Sequence, residues 1–247
     1  MKRAALATVA FALVAAGCGK DANDAAPAAA APALAPATAP SSPAVSPTGS
    51  ASTPASPQPL AGRTGELAQP DELAIVLLYH DLAGLPVPVA DWVELDTRVQ
   101  FAPGAQKAGL REQITREVEA AQAAVKSVGT LLVTLADAQL SDYDPGYGEF
   151  TIRALAPSST IPFKAQGTEV AIKFDNAREV QLLKMDAAEA QRLTDTLGRF
   201  SRGTIDLELA ITGVVPGTAG GTLTTRVVGY TLRTQQGQTL VRKRFDS

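Results

Sequence analysis

A sharp break in composition near residue 68 limits the part of this chain that can build a core. Residues 19–68 are mostly Ala, Pro, Ser and Thr, and they contain no aromatic residue. Such a stretch cannot bury enough apolar surface to offset its chain entropy, and its recurring prolines interrupt the helix that the alanines favour. We therefore expect residues 18–68 to form a disordered tether, and residues 69–247 to form the single folded domain. The tether is either a functional spacer, whose length matters, or a linker of tolerant length that has no specific binding partner.

The first half of the domain carries helix signals. Pro and two acidic residues at 70–72 favour a helix start, and Gly84 favours its end. Residues 89–95 predict a short second helix. Apolar residues recur at spacings of three and four over 105–128, which predicts a long amphipathic helix. A coiled-coil partner is the alternative for this stripe, but the repeat is short, so we expect it to pack on the domain's own sheet.

The second half switches mainly to strands. Asp186 with Glu189 three residues later predicts one more helix, through a capping box, and Gly198 ends it. Period-two patterns predict the remaining elements. These strands lie at 130–136, 149–155, 168–174, 205–212, 222–232 and 239–245, with 179–183 as a hairpin partner of 168–174. We therefore expect an α+β fold, in which the N-terminal helices and one later helix pack on a mainly antiparallel sheet of about six strands.

The distribution of charge and the residue types and motifs present in the sequence argue against several functions. The domain has 18 Lys and Arg against 22 Asp and Glu, and the two signs are interspersed, which argues against nucleic-acid binding. Arg242 and Arg244 alternate with Lys243 on the last strand, so period two prevents a single patch. The one histidine, His80, ends an apolar helical run, where a carbonyl or carboxylate is expected to satisfy it. No nucleophile elbow, phosphate loop or zinc ligand set is present, so we predict no catalytic residue, metal or cofactor.

One loop combines acidic and aromatic residues. Carboxylates occur at positions 137, 142, 144 and 149, and tyrosines at 143 and 147. Oxygen ligands in such a loop could hold calcium, but the Asp-x-Asp-x-Asp-Gly pattern is missing. A pair of these carboxylates would instead make the chain an envelope hydrolase, the alternative function. We expect a loop that covers the core edge or contacts a partner. Its predicted contact residues are Asp142, Tyr143, Asp144 and Tyr147.

The leader ends at the only cysteine of the chain. Residues 1–3 are positively charged, and the apolar run 4–14 is shorter than the roughly 20 residues of a membrane span. Small residues at 15–17 then precede Cys18. This arrangement resembles the lipobox of bacterial lipoproteins, although an alanine stands at the first of these places, where that pattern has leucine. The alternative is an ordinary secretory leader with a cysteine nearby.

The lipobox resemblance implies a location. Residues 1–17 would be a lipoprotein signal peptide, and Cys18 would carry a thioether-linked diacylglycerol and an acylated amino group. Gly19 follows the cysteine in place of the aspartate that favours retention in the inner membrane. The resemblance therefore implies the outer membrane of a two-membrane cell, with the domain in the periplasm. The expected partners are the membrane, through the lipid on Cys18, and an unidentified envelope protein or polymer.

A second resemblance concerns the domain over residues 73–247. It is similar to a bacterial domain family of unknown function that is found in exported proteins, and that family implies no activity. The residues that carry the resemblance are Tyr79, Trp92, Tyr143, Asp144, Phe150, Met185, Ala187, Ala188, Glu189, Ala190, Arg199 and Ile205. We therefore expect a lipid-anchored cell-envelope protein with a non-catalytic binding or structural domain.

Overall fold

In the folded part of the chain, four consecutive helices follow the first strand, and most of the later elements are strands. The computed structural model describes residues 60–198 and 202–245, so the predicted signal peptide, Cys18 and the tether up to residue 59 lie outside the described residues. The elements are β1 Gly65–Ala68, α1 Glu72–Leu82, α2 Val89–Leu95, α3 Thr97–Gln100, α4 Gly104–Val125, β2 Val128–Gln139, β3 Glu149–Thr151, β4 Thr160–Ala165, β5 Thr168–Phe174, α5 Ala177–Val180, β6 Leu182–Lys184, α6 Ala187–Leu197, β7 Arg202–Pro216, β8 Gly220–Arg233 and β9 Thr239–Arg244.

Two helices begin close to their predicted starts, one at the predicted cap Asp186 and one at Asp71, which was expected within the first turn and is the N-cap instead. The side chain of Asp71 accepts a hydrogen bond from the backbone N–H of Ala74, and α1 follows it. Asp186 accepts in the same way from the N–H of Glu189 at the start of α6. In each case the carboxylate satisfies a backbone donor that the first helical turn leaves without a partner. The long helix predicted over 105–128 is also confirmed as α4, although it ends at Val125 because β2 begins at Val128.

Seven strands form one mixed sheet, which confirms the α+β class. Its order is β1-β2-β7-β8-β5-β4, and β9 pairs with β8 beside that path. The pairs β2–β7, β7–β8, β8–β9 and β4–β5 are antiparallel, as predicted for most of the sheet. The pairs β1–β2 and β5–β8 are parallel. Parallel pairs need long crossover connections, and the segment from β1 to β2 provides one that contains four helices.

Two strands pair with successive parts of the edge of β8 that faces away from β7. Residues 220–225 of β8 pair with β5, and residues 229–233 pair with β9. Asn176 closes the gap between them. Its side-chain amide donates to the backbone oxygen of Val227 at 2.9 Å, and its carbonyl accepts from the N–H of Val227 at 3.0 Å. One buried side chain therefore replaces a strand partner at this point.

The sheet packs its helices against one face. Along β7, the buried side chains are those of Ile205, Leu207, Leu209 and Ile211, as the alternation predicted. α1 contacts β4, β5 and β8, and α4 contacts α1 from the other side. Because α1 lies between the sheet and α4, seven of its eleven residues are buried, and its sequence is apolar around most of its circumference. On the opposite face, side chains of the sheet are half-buried or exposed. We call this the open face.

The structure differs from the predicted elements at four places. Residues 65–68 were assigned to the tether but form β1, since their backbone pairs with β2. The strand predicted over 149–155 ends at Thr151 and continues as a 3-10 turn at Arg153–Leu155. Residues 179–183 do not return along β5. They contribute to α5 and β6, and β6 pairs with β3 in a separate two-stranded sheet. β4 was missed because Pro162 lies within it, which an edge strand tolerates.

Candidate functional site

Basic side chains from two strands gather on the open face. Period two and the register of the β8–β9 hairpin place Arg242 opposite Thr231 and Arg244 opposite Gly229. The same alternation directs Arg233 of β8 to this face. Arg226, on the other side of a bulge in β8, also lies on the open face, opposite Ala210 of β7. Four arginines on neighbouring strands therefore share one side of the sheet.

Two carboxylates of β7 neutralise part of this charge. A carboxylate oxygen of Asp206 lies 2.8 Å from the Nε of Arg233, and a carboxylate oxygen of Glu208 lies 3.1 Å from the Nη2 of Arg244. Asp206 also accepts a hydrogen bond of 2.7 Å from Thr134. These partly exposed pairs contribute little to stability, because solvent screens them. Their main effect is to hold Arg233 and Arg244 in place along the face.

The other two arginines have no acidic partner among the described residues. Within the described residues, no carboxylate lies within 4.0 Å of the side chains of Arg226 and Arg242. The Nε of Arg226 is also buried and has no hydrogen-bond acceptor there. A guanidinium group stays charged throughout the physiological pH range, so an unpaired one in a concave surface favours an oxyanion.

The arginines border two concavities of the open face. The first has a volume of about 480 Å³, and Arg233, Arg242 and Arg244 contribute to its lining. The second has a volume of about 860 Å³ and is lined in part by Arg226 and Lys173. The first is lined almost entirely by strand residues, whereas half of the residues that line the second lie outside the strands, among them Asp175 and Glu179. The strand residues of both concavities are held by backbone hydrogen bonds of the sheet. The arrangement can bind anionic groups through charge-assisted hydrogen bonds without rearrangement of the sheet.

The predicted contact loop is built differently from a catalytic site. The side chain of Asp144 accepts from the backbone N–H groups of Gly146 and Tyr147 at 2.8 and 3.2 Å, so it stabilises its own turn. Tyr143 donates to the backbone oxygen of Met185 at 3.0 Å, and this ties the loop to the domain. The predicted role of Tyr143 as a cover of the core edge agrees with this contact, whereas Tyr147 is 78% exposed.

Among the described carboxylates of this loop, only Asp144 and Glu149 are paired neighbours, through an antiparallel bridge. Asp137 lies 3.6 Å from Arg202, and Asp142 is exposed. Neither these residues nor Asp144 and Glu149 line the concavities of the open face. Within residues 60–198 and 202–245, no group of three His, Cys, Asp or Glu residues could hold a metal ion. The calcium and hydrolase alternatives therefore gain no support from the loop's geometry.

The sequence carries part of the signal for the arginine face. The alternation of Arg242 and Arg244 is readable from the last strand alone, but their cross-strand neighbours are not. Pairing 222–232 with 239–245 through the Gly237 turn places Arg233 beside them. Arg226 could not be placed in this way, because the bulge between Val227 and Gly229 is not readable from residue types.

Comparison with known proteins provided no family for the chain: no family model matches it, and neither a curated protein nor a solved structure does. Among the described residues, no helix is long and apolar enough to cross a membrane. The functional argument therefore depends on the residues of the open face and on the leader.

Proposed function

We propose that this protein is a lipid-anchored cell-envelope protein whose domain binds an anionic envelope polymer without catalysis. The observation that carries the binding role is the unpaired guanidinium group of Arg226, with the other arginines of the open face beside it. The lipobox-like residues before Cys18 support the anchored location. In this arrangement, the lipid holds the chain at the outer membrane, and the open face of the domain is the binding surface in the periplasm.

The spacing of the arginines favours an extended ligand. Arg226 and Arg233 lie seven residues apart on β8, which corresponds to about 20 Å along a strand. A small anion would contact only one of these groups. A polymer that carries carboxylate or phosphate groups at intervals could contact both, and each contact would be a charge-assisted hydrogen bond at a solvent-exposed surface.

Fractionation of cells tests the anchor. The full-length chain should enter the outer-membrane fraction, and Cys18→Ala should release it into the soluble periplasmic fraction. A single acyl chain binds a bilayer only marginally, whereas two or more chains anchor stably, so the change should be nearly complete. If the cleaved Cys18→Ala protein stays in the membrane fraction, the anchor is not the lipid.

Co-sedimentation with purified cell-wall polymer tests the binding surface. The full-length protein should sediment with polymer that retains its carboxylates, and less with the same polymer after its carboxylates are amidated. Arg226→Gln with Arg242→Gln should weaken binding at least about tenfold, which corresponds to about 1.4 kcal/mol. The matched control is Arg116→Gln with Lys126→Gln, which removes equal charge from an exposed position on α4 and from the exposed residue that follows its last turn. Equal weakening by both double variants would contradict a localised surface.

A further inference from the structure

The first concavity of the open face is lined by groups of both charges. Asp206 and Glu208 of β7 contribute carboxylates, and Arg242 and Arg244 of β9 contribute guanidinium groups. An anion is attracted by the guanidinium groups and repelled by the carboxylates. The carboxylates therefore make this concavity a poorer site for a simple anion, and the arrangement of the two charges decides which ligand it fits.

In one row across the strands, a glycine separates the acid from the base. Gly229 of β8 lies between Glu208 of β7 and Arg244 of β9. A Cβ at Gly229 would lie 3.6 Å from the Oε2 of Glu208 and 3.5 Å from the Cγ of Arg244, so it would project between the two side chains. Because glycine leaves this space open, Arg244 reaches Glu208 across β8, at 3.1 Å. A carboxylate has about four lone-pair sites, and the side chain of Glu208 is 33% exposed, so it can accept further hydrogen bonds from a ligand.

In the next row, the base is left without an acid. Asp206 of β7 and Arg242 of β9 lie on either side of Thr231. Two strand spacings, about 10 Å, separate the backbones of β7 and β9. Asp206 pairs instead with Arg233, the nearer arginine on β8. An exposed guanidinium at one end of this row therefore faces a carboxylate at the other, with a threonine between them.

The lining also contains an aliphatic side chain. Leu132 of β2 lines the concavity, and the register places it beside Glu208. Leu132 is half-buried and lies outside the hydrophobic core, whereas its neighbours Leu131 and Val133 are buried in that core. Apolar surface next to hydrogen-bond acceptors is complementary to the C–H face of a ring that carries hydroxyl groups at its edge.

These three features restrict the class of ligand. The unpaired guanidinium requires an anionic group, the carboxylates require hydrogen-bond donors, and the leucine requires an apolar face. A polyphosphate supplies only the anionic group. An acidic peptide supplies carboxylates but no group of hydroxyls beside them. A sugar acid, which is a ring with one carboxylate and several hydroxyl groups, supplies all three.

We propose that the first concavity binds a sugar-acid unit of an acidic polysaccharide. The carboxylate of the unit binds Arg242, its hydroxyl groups donate to Glu208 and Asp206, and the C–H face of its ring packs against Leu132. This inference rests on the proposed function, because it names the unit of the anionic polymer that the open face recognises. The ion pairs of β7 then have a second role, since their carboxylates select for hydroxyl groups in addition to holding the arginines.

Four polymers with equal numbers of units test this selectivity on the full-length protein. They are oligogalacturonate, its methyl ester, poly-L-glutamate and polyphosphate, and their affinities are measured by titration calorimetry at one ionic strength. The methyl ester keeps the hydroxyl groups without the charge, whereas poly-L-glutamate keeps the carboxylates without the hydroxyl groups. We expect oligogalacturonate to bind at least about tenfold more tightly than each of the other three.

Removal of the carboxylate of Glu208 distinguishes recognition of hydroxyl groups from simple attraction of anions. Glu208→Gln should weaken the binding of oligogalacturonate at least about fivefold, because a charge-assisted hydrogen bond becomes a neutral one. The same variant should strengthen the binding of poly-L-glutamate and polyphosphate, because it removes a repelling charge. The matched control is Glu119→Gln, which removes equal charge from an exposed position on α4 and should change each affinity by less than about twofold. Thermal unfolding checks that both variants are folded.

The outcomes separate this inference from the proposed function. Equal or tighter binding of the methyl ester, poly-L-glutamate or polyphosphate would overturn the sugar-acid site, and so would tighter binding of every anionic polymer by Glu208→Gln. In these cases the open face is still an anion-binding surface if Arg226→Gln with Arg242→Gln weakens the binding of the anionic polymers. If that double variant weakens none of them, or if no polymer binds, the proposed function fails together with the inference.

Discussion

Replacement of Asn176 by alanine should destabilise the domain more than its size suggests. The side chain is 8% exposed, and it forms both of the hydrogen bonds that the backbone of Val227 makes at this edge of β8. Alanine removes the donor and the acceptor together. It leaves an N–H and a C=O without partners between the ends of β5 and β9, where no strand can move in to replace them.

The expected loss in the free energy of unfolding follows from these two backbone groups. A buried backbone group without a partner costs about 1–3 kcal/mol. Asn176 borders the larger concavity of the open face, so water can reach part of the vacated site and reduce the penalty. We therefore expect Asn176→Ala to lower the free energy of unfolding by about 2–4 kcal/mol. In a domain of this size, a loss of 3 kcal/mol lowers the Tm by roughly 6–12 °C.

Urea unfolding and thermal unfolding of the full-length protein measure this effect. The matched control is Gln191→Ala, because Gln191 also makes an amide hydrogen bond but is exposed on α6. The control should change the free energy of unfolding by no more than about 0.5 kcal/mol. The m-value should stay constant in both variants, since neither changes the area exposed on unfolding. Similar small losses in the two variants would refute the role of Asn176 as a substitute strand partner.

Four further predictions concern the packed side of the domain and can be measured by unfolding of the full-length chain. Gly221→Ala should cost about 1–3 kcal/mol, because the new Cβ would lie 2.5 Å from the ring of Tyr79, whereas Gly104→Ala should be neutral, since a Cβ there meets nothing within 4 Å. Tyr79→Phe should cost about 1 kcal/mol through the lost bond to the β7–β8 turn, and an unchanged stability would contradict that bond. Burial lowers the pKa of His80 in the folded state, so its contribution to the free energy of unfolding is complete above pH about 6.5 and is lost as the pH falls toward the folded pKa. His80→Gln should abolish this pH dependence of the free energy of unfolding. Burial raises the pKa of Tyr230, so stability should decline as the pH rises past about 10, and Tyr230→Phe should remove the decline without loss at pH 7, because the hydroxyl has no partner in the described residues.

Local rules were sufficient for the elements that carry their own signals. Asp71 and Asp186 mark helix starts because a cap acts within three residues, and the alternation of β7 follows from burial of one face. β1 was assigned to the tether because four residues carry too little pattern, and its partner β2 lies about 60 residues away. β6 was paired with the wrong strand for the same reason, because a three-residue strand does not specify its partner.

The candidate sites required information that only the register supplies. Arg242 and Arg244 were visible as an alternating pair, but their neighbours on β8 depend on a hairpin pairing and a bulge. His80 was expected to be satisfied by a carbonyl or a carboxylate, and its Nδ1 lies 3.1 Å from the carbonyl oxygen of Pro86.

Acetylation footprinting of lysines in the presence of cell-wall polymer tests the central claim most directly. Lys173 is exposed on the open face beside the concavity of Arg226, and Lys126 is exposed at the end of α4, away from that surface. The rates of modification in the full-length protein are measured by mass spectrometry with intact polymer and with amidated polymer. We predict that intact polymer protects Lys173 and leaves Lys126 unchanged, and that amidated polymer protects neither. Equal protection of the two lysines, or protection of Lys126 alone, would contradict binding at the open face.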